Sequence, residues 1–151
     1  MSKHWIFAAL TALAIVTASP VAVAKKPSQP NTIELAAPAE GKAQIVFFRP
    51  KKFAGSAVGF IVREGEAELG KLRNGNYFVA SVEPGKHVYT VHSEAKDELN
   101  VELESGETLF AKGTINMGIL AGRPNLSPSS EAEFRAAKLK PSKPLKKKRS
   151  S

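Results

Sequence analysis

The sequence predicts an all-β domain, an antiparallel β-sandwich of about seven to eight strands with one short C-terminal helix. Three observations carry that prediction. Between residues 42 and 138, apolar and β-forming residues come in short runs, not in the long stretches of 3.6-residue period that mark helices. Turn-forming pairs such as Asn74-Gly75, Pro84-Gly85 and Ser105-Gly106 separate those runs at short intervals. Within "ELNVELE" (98–104), Leu99, Val101 and Leu103 alternate with Asn100, Glu102 and Glu104, the period of a strand with one dry face and one wet face.

The elements follow in order. "AQIVFFR" (43–49) is a run of β-formers stopped by Pro50, which cannot donate to a ladder. "AVGFIVRE" (57–64) ends at a turn around Gly65, and "AELGKLR" (67–73) leads into "NGN" at 74–76, where Asn and Gly tolerate positive φ. "YFVASV" (77–82) runs into "EPGK", in which Pro84 presets φ and Gly85 supplies the left-handed position. "HVYTVHS" (87–93), "ELNVELE" (98–104) and "TLFAKGTI" (108–115) complete seven strands. "MGILAGRPNL" (117–126) is the candidate for an eighth. Ser127-Pro128, or Ser130 with Glu133 as a capping box, starts a helix that runs from Glu131 to Lys138.

The 151 residues suffice for one domain and contain no cysteine. Disulfides, thiolate metal sites and a cysteine nucleophile are therefore excluded, and the domain must hold together by its core. The net charge of +8 is unevenly placed: Lys138 to Arg149 holds seven lysines and arginines and no acid. Without those and Lys3, fourteen bases face fourteen acids, so the body is neutral and the surplus belongs to the tail.

"MSKHWIFAALTALAIVTASPVAVAKK" has a charged start, an apolar stretch from Trp5 to Val16 and the small-residue pattern Ala22-Val23-Ala24. This is the layout of a secretory signal peptide, residues 1–24, cleaved after Ala24. The alternative is an uncleaved N-terminal anchor, since Trp5 to Ala24 is uncharged and long enough to span a bilayer. The expected localisation is periplasmic or secreted. Residues 25–41, rich in Pro and Ala, read as a flexible linker; 42–138 as the sandwich; and 139–151 as a disordered basic tail.

No constellation for catalysis stands out, and no metal-ligand spacing or cofactor motif. His87 and His92 are five apart on one expected strand and face opposite sides, so they cannot share a metal from it. Asp97 reads as a turn residue. Two Arg-Pro pairs have two readings, strand termination and a polar binding site at one end of the sandwich built from Arg49, Arg123 and Asn125.

Four stretches, "GKAQIVFFRPKKFAGSAVGFIV", "GKLRNGNYFVASVEPGKHVYTV", "EAKDELNVELESGETLFAKG" and "MGILAGRPNL", together resemble bacterial domain-of-unknown-function family 2846 over about residues 41–126. "VEPGKHVYTV" with "LNVELESGET" also resembles PEGA-type and transthyretin-like sandwich patterns. The first resemblance implies a small exported protein with no established activity and no catalytic residues to transfer. Many members of that family carry a lipobox cysteine; this chain has none, so lipid anchoring does not follow.

The resulting expectation is a non-enzymatic exported sandwich that binds or scaffolds in the bacterial cell envelope without a cofactor. Its partner would be an envelope protein, an anionic envelope polymer or lipid. One alternative is that Lys146, Lys147, Lys148 and Arg149 tether the chain electrostatically to an anionic envelope surface. An envelope hydrolase is the enzymatic alternative. Nucleic acid is not expected, given the export signal and a tail with no aromatic residue after Phe134.

Overall fold

The computed structural model describes residues 33–93, 95–117, 122–143 and 145. The expected signal peptide with its cleavage position Ala24, the linker up to residue 32, and the tail cations Lys146, Lys147, Lys148 and Arg149 lie outside the described residues.

Among the described residues, nine strands form two sheets. One has the order β8-β7-β1-β4-β9 and the other β3-β2-β5-β6. The elements are β1 (Ala43–Arg49), β2 (Phe60–Glu64), β3 (Ala67–Leu72), β4 (Asn76–Val82), β5 (Gly85–His92), β6 (Lys96–Leu103), β7 (Thr108–Met117), β8 (Gly122–Ser129), α1 (Glu131–Ala136) and β9 (Lys140–Pro141). The sheets face each other across a core to which both contribute: Ile45, Phe47, Ala111 and Leu126 from one, Phe60, Val62, Leu72, Tyr89, Val91 and Leu99 from the other. Among the described residues, the expected sandwich and a single short helix are what forms.

The sequence predicts antiparallel pairing throughout, but two of the pairs are parallel. β1 runs parallel to β7, with Phe47 opposite Ala111, and β9 runs parallel to β4. β1 is the middle strand of its sheet and is buried along its whole length. Its odd residues enter the core between the sheets. Val46 and Phe48 enter a second cluster on the outer face with Phe110, Phe134 and Leu139. A strand dry on both faces has to read as an unbroken apolar run, which is why "AQIVFFR" shows no alternation.

The helix begins at Ser130, whose hydroxyl accepts from the Glu133 amide (3.2 Å). The Ser127-Pro128 alternative fails because those residues continue β8. That strand lies at the sheet edge, where Pro124 and Pro128 break no ladder. Glu133 does not return to the cap amide. It accepts from Lys112 Nζ (2.7 Å) and from Ser129 Oγ (2.6 Å), which hold its carboxyl below the usual range.

The domain extends past both expected boundaries. Ile33 and Leu35, inside the expected linker, pack half-buried on the second cluster. Arg135 Nη1 donates to the Ile33 carbonyl (2.9 Å) and Gln44 Nε2 to that of Ala36 (2.9 Å). At the other end, Leu139 is buried, and residues 140–141, assigned by sequence to a disordered tail, form β9. Apolar docking and main-chain pairing outweigh the tail's lack of periodicity there.

Candidate functional site: a basic cleft at one end of the sandwich

The residues singled out from sequence do not converge. Arg49 lies on the inner face with Ile45 and Phe47 and is 2% exposed. Its Nη1 donates to the Val58 carbonyl (2.5 Å) and its Nη2 to that of Gly55 (2.6 Å), with the guanidinium 5.8 Å from the Phe60 ring centroid. Burial lowers its pKa, but a guanidinium remains charged at neutral pH. Arg49 therefore braces the 50–59 loop from below. Arg123 and Asn125 sit opposite Asn116 and Thr114 on β7, one residue out of phase with core-facing Leu126 and Ala111, and so project from the outer face. Arg123 is exposed. The sheet separates these two from Arg49.

His87 is held structurally. Its Nδ1 lies 2.5 Å from Glu64 Oε1 and its Nε2 2.8 Å from the Glu83 carbonyl, and its ring stacks on Tyr89 at 5.8 Å. Two acceptors facing two ring nitrogens are both satisfied only by the imidazolium. Burial, the largest single influence, opposes that charge; the Glu64 hydrogen bond, the Glu83 carbonyl and the Glu64 charge together outweigh it and raise the pKa. Burial and the Glu64 charge also keep the Tyr89 phenol neutral. Asp97 joins the sheets: its Oδ2 accepts from the Leu126 amide (2.8 Å). Among the described residues no three His, Asp or Glu side chains gather in a metal-binding group.

What does gather is positive charge. An open cleft of about 680 Å³ is lined by Lys51, Lys71, Arg73, Lys140 and Lys143, together with the Asn74-Gly75-Asn76 turn and Leu145. No acid lines it, and among the described residues none of the five cations forms a salt bridge. The frame is built from backbone and amides, which leaves the charges free. The β3–β4 turn crosses from one sheet to the other. Asn76, nearly buried, closes it by accepting from the Arg73 amide (2.7 Å) and donating to the Lys71 carbonyl (3.2 Å). Asn74 Oδ1 accepts from the Lys52 amide (2.8 Å), tying the turn to the chain leaving β1. Gly75 has φ +76°, and a Cβ there would collide with the Lys51 side chain lying across it. The opposite wall is the segment after α1. The Lys140 amide donates to the Gly75 carbonyl (3.0 Å), the Ser142 amide to that of Tyr77 (2.7 Å), and Ser142 Oγ to that of Lys71 (2.9 Å).

The cleft's chemistry follows from its lining. Free lysine and arginine side chains on a fixed frame hold phosphate, sulfate or carboxylate groups. No imidazole or carboxylate is present to move a proton.

A family model described as protein of unknown function (DUF2846) matches residues 39–124. The chain belongs to the DUF2846 family. No curated protein matches it. The DUF2846 match spans β1 to Pro124 and includes Lys51, Lys71, Arg73 and the turn between β3 and β4. The second wall of the cleft, residues 140–143 and 145, lies beyond it.

The site was hidden in the sequence for two reasons. Lys51, Lys71 and Arg73 were averaged into a body of fourteen bases and fourteen acids, and Lys140 and Lys143 were counted with a disordered tail, yet folding brings the five together. The available signals were "KLRNGN" and "KLKPSK", basic residues around a turn and around a strand stop.

Proposed function

We propose that this DUF2846 protein is a non-catalytic binding module of the bacterial cell envelope, exported by residues 1–24, whose basic cleft holds a phosphate-bearing ligand. The observation that carries this reading is the cleft: five cations that form no salt bridge among the described residues, on a hydrogen-bonded frame, with no acid among the lining residues. Its volume of about 680 Å³ falls in the range of small-molecule sites, roughly 300–1,000 Å³. The same lining lacks any acid–base pair, which supports binding over hydrolysis. Export is supported by the N-terminal sequence pattern; among the described residues no helix is long and apolar enough to cross a membrane.

Calorimetric titration with a short glycerol-phosphate oligomer tests the reading. Saturable binding that weakens with salt is expected. The double substitution Lys71→Gln and Arg73→Gln should abolish most of it, since a hydrogen bond to a charged group contributes about 1.5–3 kcal/mol. Absence of saturable binding, or indifference to that double substitution, overturns the proposal. N-terminal sequencing of the envelope-fraction protein should begin at Lys25.

A further inference from the structure

Phe53 breaks the pattern of the phenylalanines. It is 99% exposed, whereas the other described ones are buried or half-buried. Single exposed apolar residues are common, but this one sits on a loop whose backbone is held by hydrogen bonds. The Ser56 amide donates to the Phe53 carbonyl (3.2 Å) and the Val58 amide to that of Gly55 (3.1 Å), making two successive turns. Buried Arg49 grips the Gly55 and Val58 carbonyls from beneath. Gly55, at φ +70°, is pressed on β7: a Cβ there would lie 3.0 Å from Ile115 Cγ2. These contacts fix the backbone of the loop that presents Phe53.

The surroundings of Phe53 are cationic. Lys51 and Lys52 precede it, Lys51 lines the cleft, and Lys52 is bonded through its amide to the cleft's turn. Other exposed apolar side chains mark the same end. Val58 lies over Gly122, and the strand partner of Gly122 is Met117, which is 71% exposed.

The geometry points to this end of the sandwich as a docking face for an anionic phospholipid bilayer, with Phe53 entering the headgroup boundary and the cleft cations meeting lipid phosphates. This rests on the anion-binding reading of the cleft and names the source of the phosphate. A protein partner would need a complementary surface of roughly 800 Å². A bilayer accepts a lone protruding ring with no matching pocket, and its anionic surface attracts each nearby lysine or arginine within about a Debye length, ~10 Å at moderate salt.

The test is co-sedimentation of the exported protein with phosphatidylglycerol vesicles and with phosphatidylcholine vesicles, beside the glycerol-phosphate titration. Binding to the anionic vesicles alone is expected. Phe53→Ser should weaken it by roughly tenfold or more, the value of burying one phenylalanine, and leave glycerol-phosphate affinity unchanged. Lys71→Gln with Arg73→Gln should weaken both. Vesicle binding indifferent to Phe53→Ser, or equal on both lipids, overturns the bilayer proposal while the cleft's affinity for soluble phosphate stands. If soluble phosphate fails to bind, the underlying reading of the cleft fails and this proposal with it.

Discussion

Replacing Phe134 with alanine should open the cleft without unfolding the sandwich. Phe134 is the only buried residue of α1 and is fully enclosed. Its ring meets Phe48 edge-on at 5.5 Å, Tyr77 edge-on at 5.2 Å and Phe110 at 5.4 Å. Truncating such a ring costs about 3–5 kcal/mol where the rest of the structure stays in place. Here it need not stay. A six-residue helix has no stability of its own, and β9 is held to β4 chiefly by the Lys140 and Ser142 amides. Once docking costs more than it returns, α1 and β9 leave together, and the loss in global stability is capped at their docking free energy. The decisive assay is therefore residue-resolved hydrogen exchange. Protection at the Lys140 and Ser142 amides should fall by two orders of magnitude or more, about 3 kcal/mol at 1.4 kcal/mol per tenfold. Amides of β5, whose side chains feed the first core, should keep theirs. Glycerol-phosphate affinity should fall in step, because the wall bearing Lys140 and Lys143 disperses. Phe134→Leu, which restores most of the volume, should recover both. Unchanged protection at Lys140 with lost ligand affinity, or uniform loss of protection over the whole domain, would refute the reasoning.

Two further outcomes test the frame. Gly70 on β3 faces the Phe78 ring of the opposite sheet, and a Cβ there would sit 2.6 Å from it; Gly70→Ala should cost about 1–3 kcal/mol by urea unfolding, from overpacking, and a neutral result would mean the sheets can separate freely. His87 has a folded pKa raised above the ordinary 6.5, so its contribution is fully present below that unfolded value and is lost as pH rises through the folded one; urea unfolding across this window should show wild-type stability declining with pH and Glu64→Gln declining less, and parallel slopes would remove the Glu64 pair as the cause.

Most strands were legible because their ends are written in local chemistry. β1 stops at Arg49 because Pro50 follows, and β3 and β4 are split by the Asn-Gly turn. Partners were not legible. Nothing in "AQIVFFR" says that its neighbour is parallel β7, a pairing closed by residues about sixty positions apart. β9 was invisible for another reason: its two residues carry no apolar signal, and its position follows from carbonyls at Gly75 and Tyr77 and from the docking of Phe134 and Leu139 just before it. The site failed at the same level. Asn125 and Leu126 can be set on opposite faces from alternation alone, but placing Arg49 relative to Arg123 requires knowing how β1 and β8 flank β7.

The two cores divide the labour. The first, between the sheets, draws all but Leu126 of its buried residues from within the DUF2846 match, and it holds the β3–β4 turn that presents Lys71 and Arg73. The second lies on the outer face, and its Phe134 and Leu139 come from beyond the match. It clamps the segment carrying Lys140 and Lys143. Changes in the C-terminal segment can therefore reshape one wall of the cleft while the sandwich keeps its main core. Changes in the turn act on both, because Gly75, with Tyr77 just after the turn, also supplies the carbonyls that β9 bonds to. The cleft is thus a composite site: its charge is shared between both walls, and its shape depends on a short aromatic clamp that sequence patterns of strand and turn do not reveal.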